Sequence, residues 1–484
     1  MAYEDLREFI ARLEQEGELA RITREVSVEL EITEIADRAV KQGGKALLFE
    51  NPKGYSIPVL INAFASDKRI RLALETERLE SIGEKLVELA RMKPESVLDG
   101  LKALSSAKDL VSFIPKKVRN GPVKEVVDHN PNLLKFPILK CWPHDGGRFI
   151  TFPVVITRDP ETGVLNAGMY RMQVFDEKTT GMHWQIHKHG ALHYKKLKEM
   201  GVDKLEVAVA IGVDPATLYS ATAPLPENMS EFMLAGFIRK KRLKMVDCET
   251  VDLQVPATAE IVLEGYVKLD EFRTEGPFGD HTGYYTPAEP YPVFHVECIT
   301  HRENPIYHAT VVGKPPMEDA WLGKATERIF LPMIRMIHPD IVDINLPISA
   351  TFHNLAIVSI KKRYPGHARK VMFSIWGTGM LSLTKVVIVV DEDVNVHDMN
   401  EVMWAVTSRF DPARDVVVIP DSPLDSLDHA SYKPNLGGKL GIDATKKWRE
   451  EGYEREWPDV VEMDEDTRKK VDGYWDEIRR LIFG

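Results

Sequence analysis

The sequence predicts a multidomain fold of mixed α+β and α/β type, with a β-rich middle section between two sections that alternate helix and strand. Three observations predict it. The 484 residues exceed what one ordinary core organises, so two to four domains are expected. The hydrophobic period changes along the chain: helical and strand patterns alternate before about residue 92, strand patterns dominate from about 135 to 315, and alternation then returns. A polar connector containing KPES, IPKK and NGP lies at about 92–132. The expected units are residues 1–120, 121–320 and 321–484.

The elements follow in order. Leu6, Phe9, Ile10 and Leu13 fall at helical spacing, so the N-terminus reads as an amphipathic docking helix. EITEIADRAVKQGG predicts a helix that ends at Gly43 and Gly44. KALLFEN and YSIPVLINAF read as short strands, and DKRIRLALETERLESIGEKLVELARM as one long charged helix. In the middle section TFPVVITRD, NAGMYRMQVFD, KLEVAVAIGV, AEIVLEGYVKL and YPVFHVECITH read as strands, with HGALHYKKLKEM and SEFMLAGFIRKKR as interrupting helices. So many strands with so few crossover helices favour a barrel-like sheet over a doubly wound one. Beyond it, AWLGKATERIFLPMIRMI and EVMWAVTSRF are helical, NLAIVSI and LTKVVIVVDED are strands, and VVIVV has the composition of a strand buried on both faces. The tail DTRKKVDGYWDEIRRLIFG is an amphipathic helix of the kind that docks on a neighbouring domain or subunit.

Bulk properties exclude several classes. A net charge of -11 argues against a nucleic-acid partner, whose phosphates favour a basic face. Cys141, Cys248 and Cys298 form no CxxC pair, which suggests neither a disulfide framework nor a zinc knuckle and fits a reducing cytoplasm. The charged N-terminus is unlike a secretory signal, and no apolar run approaches the roughly 20 residues of a membrane span.

Five segments carry chemistry. TEGPFGDHTGYY, residues 274–285, sets Glu275 and Asp280 around a sharp turn. NAGMYR places Asn166 and Arg171 on one strand, where a five-residue separation sends them to opposite faces unless a bulge or kink intervenes near Gly168. MHWQIHKHGALHY holds His183, His187, His189 and His193, whose imidazoles are either exposed junction residues or metal ligands. Glu231 falls in the first turn of a helix capped by Asn228 or Ser230, where an acid stabilises the helix dipole or serves a metal. LGGKLGIDAT, residues 436–445, offers a flexible Gly-Gly followed by Lys439, which suits a phosphate without being a Walker loop. KKRYPGHARK reads as a solvated loop before a helix.

Taken together, Asn166 with Arg171, WQIHKHGALHY, SEFMLAG, VPATAEIVLEG, EGPFGDHTGYY and GGKLGIDATKKW resemble the UbiD family of (de)carboxylases along nearly the whole chain. KKRYPGHARKV, MWAVTSRFDPARD and GKPPMED also resemble the branch acting on 3-polyprenyl-4-hydroxybenzoate. The resemblance implies a central split β-barrel, flavin reductase-like, that binds prenylated FMN through Mn²⁺ and K⁺, between an N-terminal α/β domain and a C-terminal α/β oligomerisation domain. It implies Asn166, His187 and Glu231 as metal ligands, with His189 the rival of His187, since His187 matches the W-x-x-H spacing from Trp184. It places Lys439 near the cofactor phosphate, Thr151 along the isoalloxazine pocket, and the catalytic network on Arg171, Glu275 and Asp280. Asp280 stands where ferulic acid decarboxylases carry Glu, which makes cinnamate-type substrates a poorer fit. The implied partners are a small carboxylic acid, a flavin prenyltransferase and further copies of the chain, as a dimer or hexamer; a prenylated substrate would add peripheral membrane contact.

The chemistry explains the residue types. Loss of CO₂ from an aryl or vinyl carbon leaves electrons that no side chain accepts, so a cofactor must carry that step. Arginine presents a planar fork suited to a carboxylate, and Glu275 can hold it in register. The second acid must be protonated to donate, and burial against Phe278 and Tyr284 is expected to raise its pKa. Rival readings are a flavin oxidoreductase using FMN and NAD(P)H, which needs neither Arg171 nor the acid pair, and a non-catalytic flavin-binding protein. Within the family, a naphthoate or an unsaturated phosphorylated aliphatic acid competes with 4-hydroxybenzoate.

Overall fold

The computed structural model describes residues 3–91, 112–184, 189–227 and 229–483. Its centre is a seven-stranded, fully antiparallel sheet. Thr179–Gly181, Glu289–His301, Ile261–Glu275, Lys204–Ile211, Val154–Arg158 and Leu165–Gly168 lie in that spatial order, and Val126–Asp128 also pairs with Glu289–His301. Where a barrel-like closure was expected, the pairs form an open path. Its ends are strands of four and three residues, and among the described residues none pairs with the other. Both faces are nonetheless buried, because alternate residues enter different cores. Val154, Ile156, Ala208 and Ala210 join one hydrophobic cluster, while Val155, Val207, Val209 and Ile211 join another. These clusters also contain residues of the first ninety: Leu6, Phe9 and Leu13 in one, Val26, Ile32 and Ala36 in the other.

The N-terminal section builds a smaller sheet in which Leu19–Ile22, Ala46–Phe49 and Val59–Ile61 are followed by Tyr307–His308. Its fourth strand therefore comes from beyond the central sheet. The helix Glu31–Lys41 ends where Gly43 adopts φ 68°, as the paired glycines suggested. The single long helix expected from residue 67 is two, Asp67–Ala73 and Glu80–Arg91. Between them Glu75 takes φ 50°, and the hydroxyls of Thr76 and Ser81 both donate to the Arg78 carbonyl, local bonds that compete with helix continuation. Part of the expected connector is also structured: Lys116–Lys117 pairs with Lys244–Asp247, and Val126–Asp128 belongs to the central sheet.

The last section is a five-stranded sheet in the order Ile341–Asn345, Leu355–Ile360, Val386–Asp391, Leu436–Ala444 and Val416–Pro423. The strand VVIVV is buried on both faces, as its composition suggested. Val387 and Val389 pack with the helix His367–Trp376, and Ile388 and Val390 with the helix Met399–Arg409. The stretch containing Gly437, Gly438 and Lys439 is a strand here and not a flexible loop. The terminal helix Glu465–Phe483 buries none of its residues, leaving Trp475, Leu481, Ile482 and Phe483 exposed.

Candidate active site

The strand Ile261–Glu275 delivers Glu275 to its end, and the chain then reverses through Gly276, a cis Pro277 and the short hairpin of Phe278–Gly279 with Tyr285–Thr286. Gly276 has φ 101°, a conformation that side chains disfavour, and its N–H donates to Gln173 Oε1 at 2.7 Å. The reversal sets Glu275 and Asp280 on one guanidinium. Arg171 donates from Nε to Glu275 Oε1 at 3.1 Å, from Nη1 to Asp280 Oδ2, and from Nη2 to Thr286 Oγ1 at 3.0 Å. The Phe278 ring lies 4.6 Å beneath the same guanidinium. Both acids are buried. The two carboxylates around the turn thus converge, as an acid–base site requires.

Arg171 reaches this point because the strand bearing Asn166 stops at Gly168. The chain resumes as Met172–Gln173, paired with Phe149–Ile150 in a separate two-stranded sheet. The strand pairing thus breaks between Asn166 and Arg171. The break separates two corners: Arg171 faces the acids, and Asn166 faces Glu231 and His189.

In that second corner Asn166 Oδ1 lies 2.9 Å from His189 Nδ1, which lies 3.7 Å from Glu231 Oε1. Glu231 Oε2 accepts the Ala167 N–H at 2.7 Å, and Glu231 is the first residue of the helix Glu231–Arg239. Ser230 precedes it without a side-chain cap bond. His187 and Asn228 lie outside the described residues. The Asn166 amide nitrogen is buried without a hydrogen-bond partner. The Asn166 amide oxygen, the Glu231 carboxylate and the His189 imidazole form a mixed oxygen and nitrogen donor set that a divalent cation accepts.

The remaining predicted residues are placed separately. Thr151 is buried, and its Oγ1 accepts the Thr310 N–H at 3.1 Å. Lys439, expected near a phosphate, is buried in the C-terminal sheet and donates to the carbonyls of Ser382 at 2.6 Å and Thr384 at 3.0 Å. Burial pulls its ammonium down to about 8.

Asp280 differs from expectation in its ionisation. Burial pulls its carboxyl upward, yet the hydrogen bond from His281 and the charge of Arg171 outweigh burial and hold it well below the usual carboxylate range. Tyr284, expected to bury it, is 67% exposed, and Phe278 packs on Arg171 instead. In this geometry Asp280 is an anion.

Two histidines complete the network. His183 Nδ1 lies 2.8 Å from Glu275 Oε1, and His281 Nδ1 lies 2.9 Å from Asp280 Oδ1. The sequence pattern singled out His183 without giving it a role; its proximity to Glu275 depends on pairing between Thr179–Gly181 and Glu289–His301. His193 serves the core instead, 2.9 Å from Thr157 Oγ1, with burial lowering its pKa to about 4. The histidine-rich run thus serves three different places.

Comparison with known proteins fits this geometry. Residues 10–88, 116–315 and 320–444 match the N-terminal, Rift-related and C-terminal domain models of 3-octaprenyl-4-hydroxybenzoate carboxy-lyase, UbiD. An uncharacterized protein of Archaeoglobus fulgidus is 74% identical, with 100% of each chain covered. The closed form of vanillic acid decarboxylase from Sedimentibacter hydroxybenzoicus is 30% identical, with a TM-score of 0.85 and 100% of both chains covered. The enzyme HmfF of Pelotomaculum thermopropionicum, solved with FMN, is 32% identical with a TM-score of 0.80, covering 97% of this chain and 99% of that one. An evolved dimeric form of HmfF, solved with prFMN, is 31% identical with a TM-score of 0.78, covering 98% of this chain and 100% of that one.

Proposed function

The chain belongs to the UbiD family of carboxy-lyases, and from that premise we propose that it is a reversible, non-oxidative decarboxylase of a 4-hydroxybenzoate-type acid working with prenylated FMN. The observation that carries the proposal is Arg171 gripped by both Glu275 and Asp280 inside a buried turn. A flavin reductase needs no such pair. Vanillic acid, the substrate named for one structural relative, carries the 4-hydroxyl that supports this substrate class.

Asn166, Glu231 and a histidine of the pair His187 and His189 would hold the cofactor phosphate through Mn²⁺, with K⁺ beside it. The proximity of His189 to Asn166 Oδ1 and to the Glu231 carboxylate supports this set. Thr151 would line the isoalloxazine pocket on the curved central sheet, read as a split barrel. When bound, prenylated FMN supplies the electron sink that side chains lack.

The chain's own residues then bind, orient and protonate. Glu275, held by His183, fixes Arg171 in register. An arriving carboxylate competes for the Arg171 fork and loosens its bond to Asp280. Weakening that ion pair removes one of the influences that hold the Asp280 carboxyl down, and the proton that Oδ2 then takes up from water is the one it passes to the carbon that has lost CO₂. The exposed apolar residues of Glu465–Phe483 are read as packing on a second copy of the chain, within a dimer or a hexamer of dimers. The chain would receive its cofactor from a flavin prenyltransferase and act in the cytoplasm. Among the described residues no helix is long and apolar enough to cross a membrane.

The test is Asp280→Asn in chain loaded anaerobically with prenylated FMN, assayed for phenol and CO₂ release from vanillate and 4-hydroxybenzoate. We expect a rate loss of about 100-fold or more with the flavin spectrum unchanged. An undiminished rate would refute the acid role.

A further inference from the structure

The turn that carries Asp280 also meets the C-terminal section, where the outer nitrogen of His281 faces His353 and Asp425, two side chains that the reaction above does not use. His281 Nε2 lies 2.7 Å from His353 Nε2, and Asp425 Oδ2 lies 4.0 Å from that same His353 nitrogen. One ligand atom from each of the three lies within 4.8 Å of the others. His281 is buried, and its Nδ1 faces the Asp280 carboxylate at 2.9 Å, so the ring proton of neutral His281 sits on Nδ1. Nε2 then presents a lone pair toward a second imidazole nitrogen. The contact is satisfied either by an N–H on His353 Nε2 or by a metal ion set between the two nitrogens.

The surroundings favour positive charge at the His281 ring, as a second ring proton or as a bound cation. Asp280, Asp319 and Asp425 face the His281 ring, while Arg171 is already engaged by Glu275 and Asp280. Burial pushes the Asp319 carboxyl up to about 6, with His281 opposing and Asp280 adding to the rise.

We propose that His281, His353 and Asp425 form a second metal site for Zn²⁺ or a similar late first-row divalent cation, which clasps the acid-bearing turn to the C-terminal sheet section. Two imidazoles and one carboxylate are a donor set that Zn²⁺ accepts, with a fourth position left for water. The higher nitrogen content separates this site from the oxygen-rich Asn166 corner. Asp280 stands behind His281 as the carboxylate that orients a ligating imidazole through its other nitrogen. Zn–N bonds of roughly 2.0–2.1 Å place tetrahedral ligand nitrogens about 3.3 Å apart, so His353 draws back by about half an ångström on binding. The His353 and Asp425 side chains keep 25% and 17% exposure, which gives the ion a path from solvent.

The experiment is Co²⁺ titration of chelator-stripped, flavin-free full-length chain, followed by visible absorption, with Zn²⁺ as competitor. One Co²⁺ per chain should give ligand-field bands that Zn²⁺ abolishes. His353→Ala and Asp425→Ala should each weaken this binding by at least about tenfold, while Glu231→Gln leaves it intact. His353→Cys should keep the site and add a thiolate-to-cobalt charge-transfer band in the near ultraviolet, a signature that a purely structural role for His353 cannot produce. Bands that survive both alanine variants, or no Co²⁺ uptake beyond a Glu231-dependent equivalent, would overturn the proposal. Neither outcome touches the decarboxylase reading, which rests on product release.

Discussion

Glu318 opens the helix Glu318–Ile337 with its carboxylate facing inward and 0% exposed. Its Oε1 accepts the Phe64 N–H at 2.8 Å and its Oε2 accepts the Thr310 hydroxyl at 2.7 Å. Thr310 in turn donates its N–H to Thr151, so the acid stands behind a residue of the proposed flavin pocket. Burial pushes the Glu318 carboxyl from 4.5 up to about 7, overriding those two bonds and the charge of Arg69. At about 1.36 kcal/mol per pH unit, the folded chain favours the protonated acid by about 3 kcal/mol. Because the folded pKa is the higher one, this stability is fully present below pH 4.5 and is lost as pH rises through 7. Glu318→Gln has no proton to lose. Its stability relative to wild type should therefore climb by about 3 kcal/mol between pH 4.5 and 8. Urea unfolding of both chains, followed by far-ultraviolet circular dichroism across that range, measures the difference. A difference that is flat with pH would show that Glu318 is ionised throughout and refute the reasoning.

Other outcomes follow from the same geometry. A methyl group at position 181 would stand 2.5 Å from Glu275 Oε2, so Gly181→Ala should displace that carboxylate and lower kcat with flavin binding retained. Arg171→Met strands two buried carboxylates and should cost about 3–5 kcal/mol of stability at neutral pH, part of it recovered by adding Glu275→Gln, as thermal unfolding would show. The wild-type Asp280 carboxyl is depressed, so its stabilising share is present above about pH 4 and lost on acidification; the Arg171→Met chain should show a smaller acid-side decline, the His281 share remaining. Lys439→Met should leave flavin stoichiometry unchanged after cofactor loading, because the ammonium serves Ser382 and Thr384; a loss of flavin would restore the phosphate role.

Local pattern made much of this legible. The Gly276–Pro277 turn announced that Glu275 and Asp280 meet, and the five-residue spacing of Asn166 and Arg171 announced that the two side chains face different ways. VVIVV announced a strand with two dry faces. What escaped depends on distant partners. Gly437 and Gly438 lie in a strand because Val386–Asp391 and Val416–Pro423 pair on either side of it, which residues 436–445 alone do not reveal. The ionisation of Asp280 is decided by Arg171 and His281 together, against burial. His353 and Asp425 approach His281 across 72 and 144 positions of chain, and no spacing rule connects them.

The small N-terminal sheet has a consequence for how the protein is made. Its strand Val59–Ile61 waits for Tyr307–His308, which leaves the ribosome roughly 245 residues later. At synthesis rates of about 5–20 residues per second, that edge stays unpaired for about ten to fifty seconds. Throughout that interval the nascent chain displays an open strand rich in Val and Leu, a template for pairing with other chains. Expression yield should therefore respond to translation speed and to chaperones that shield exposed strands, and a chain truncated near residue 120 should aggregate where the full chain does not.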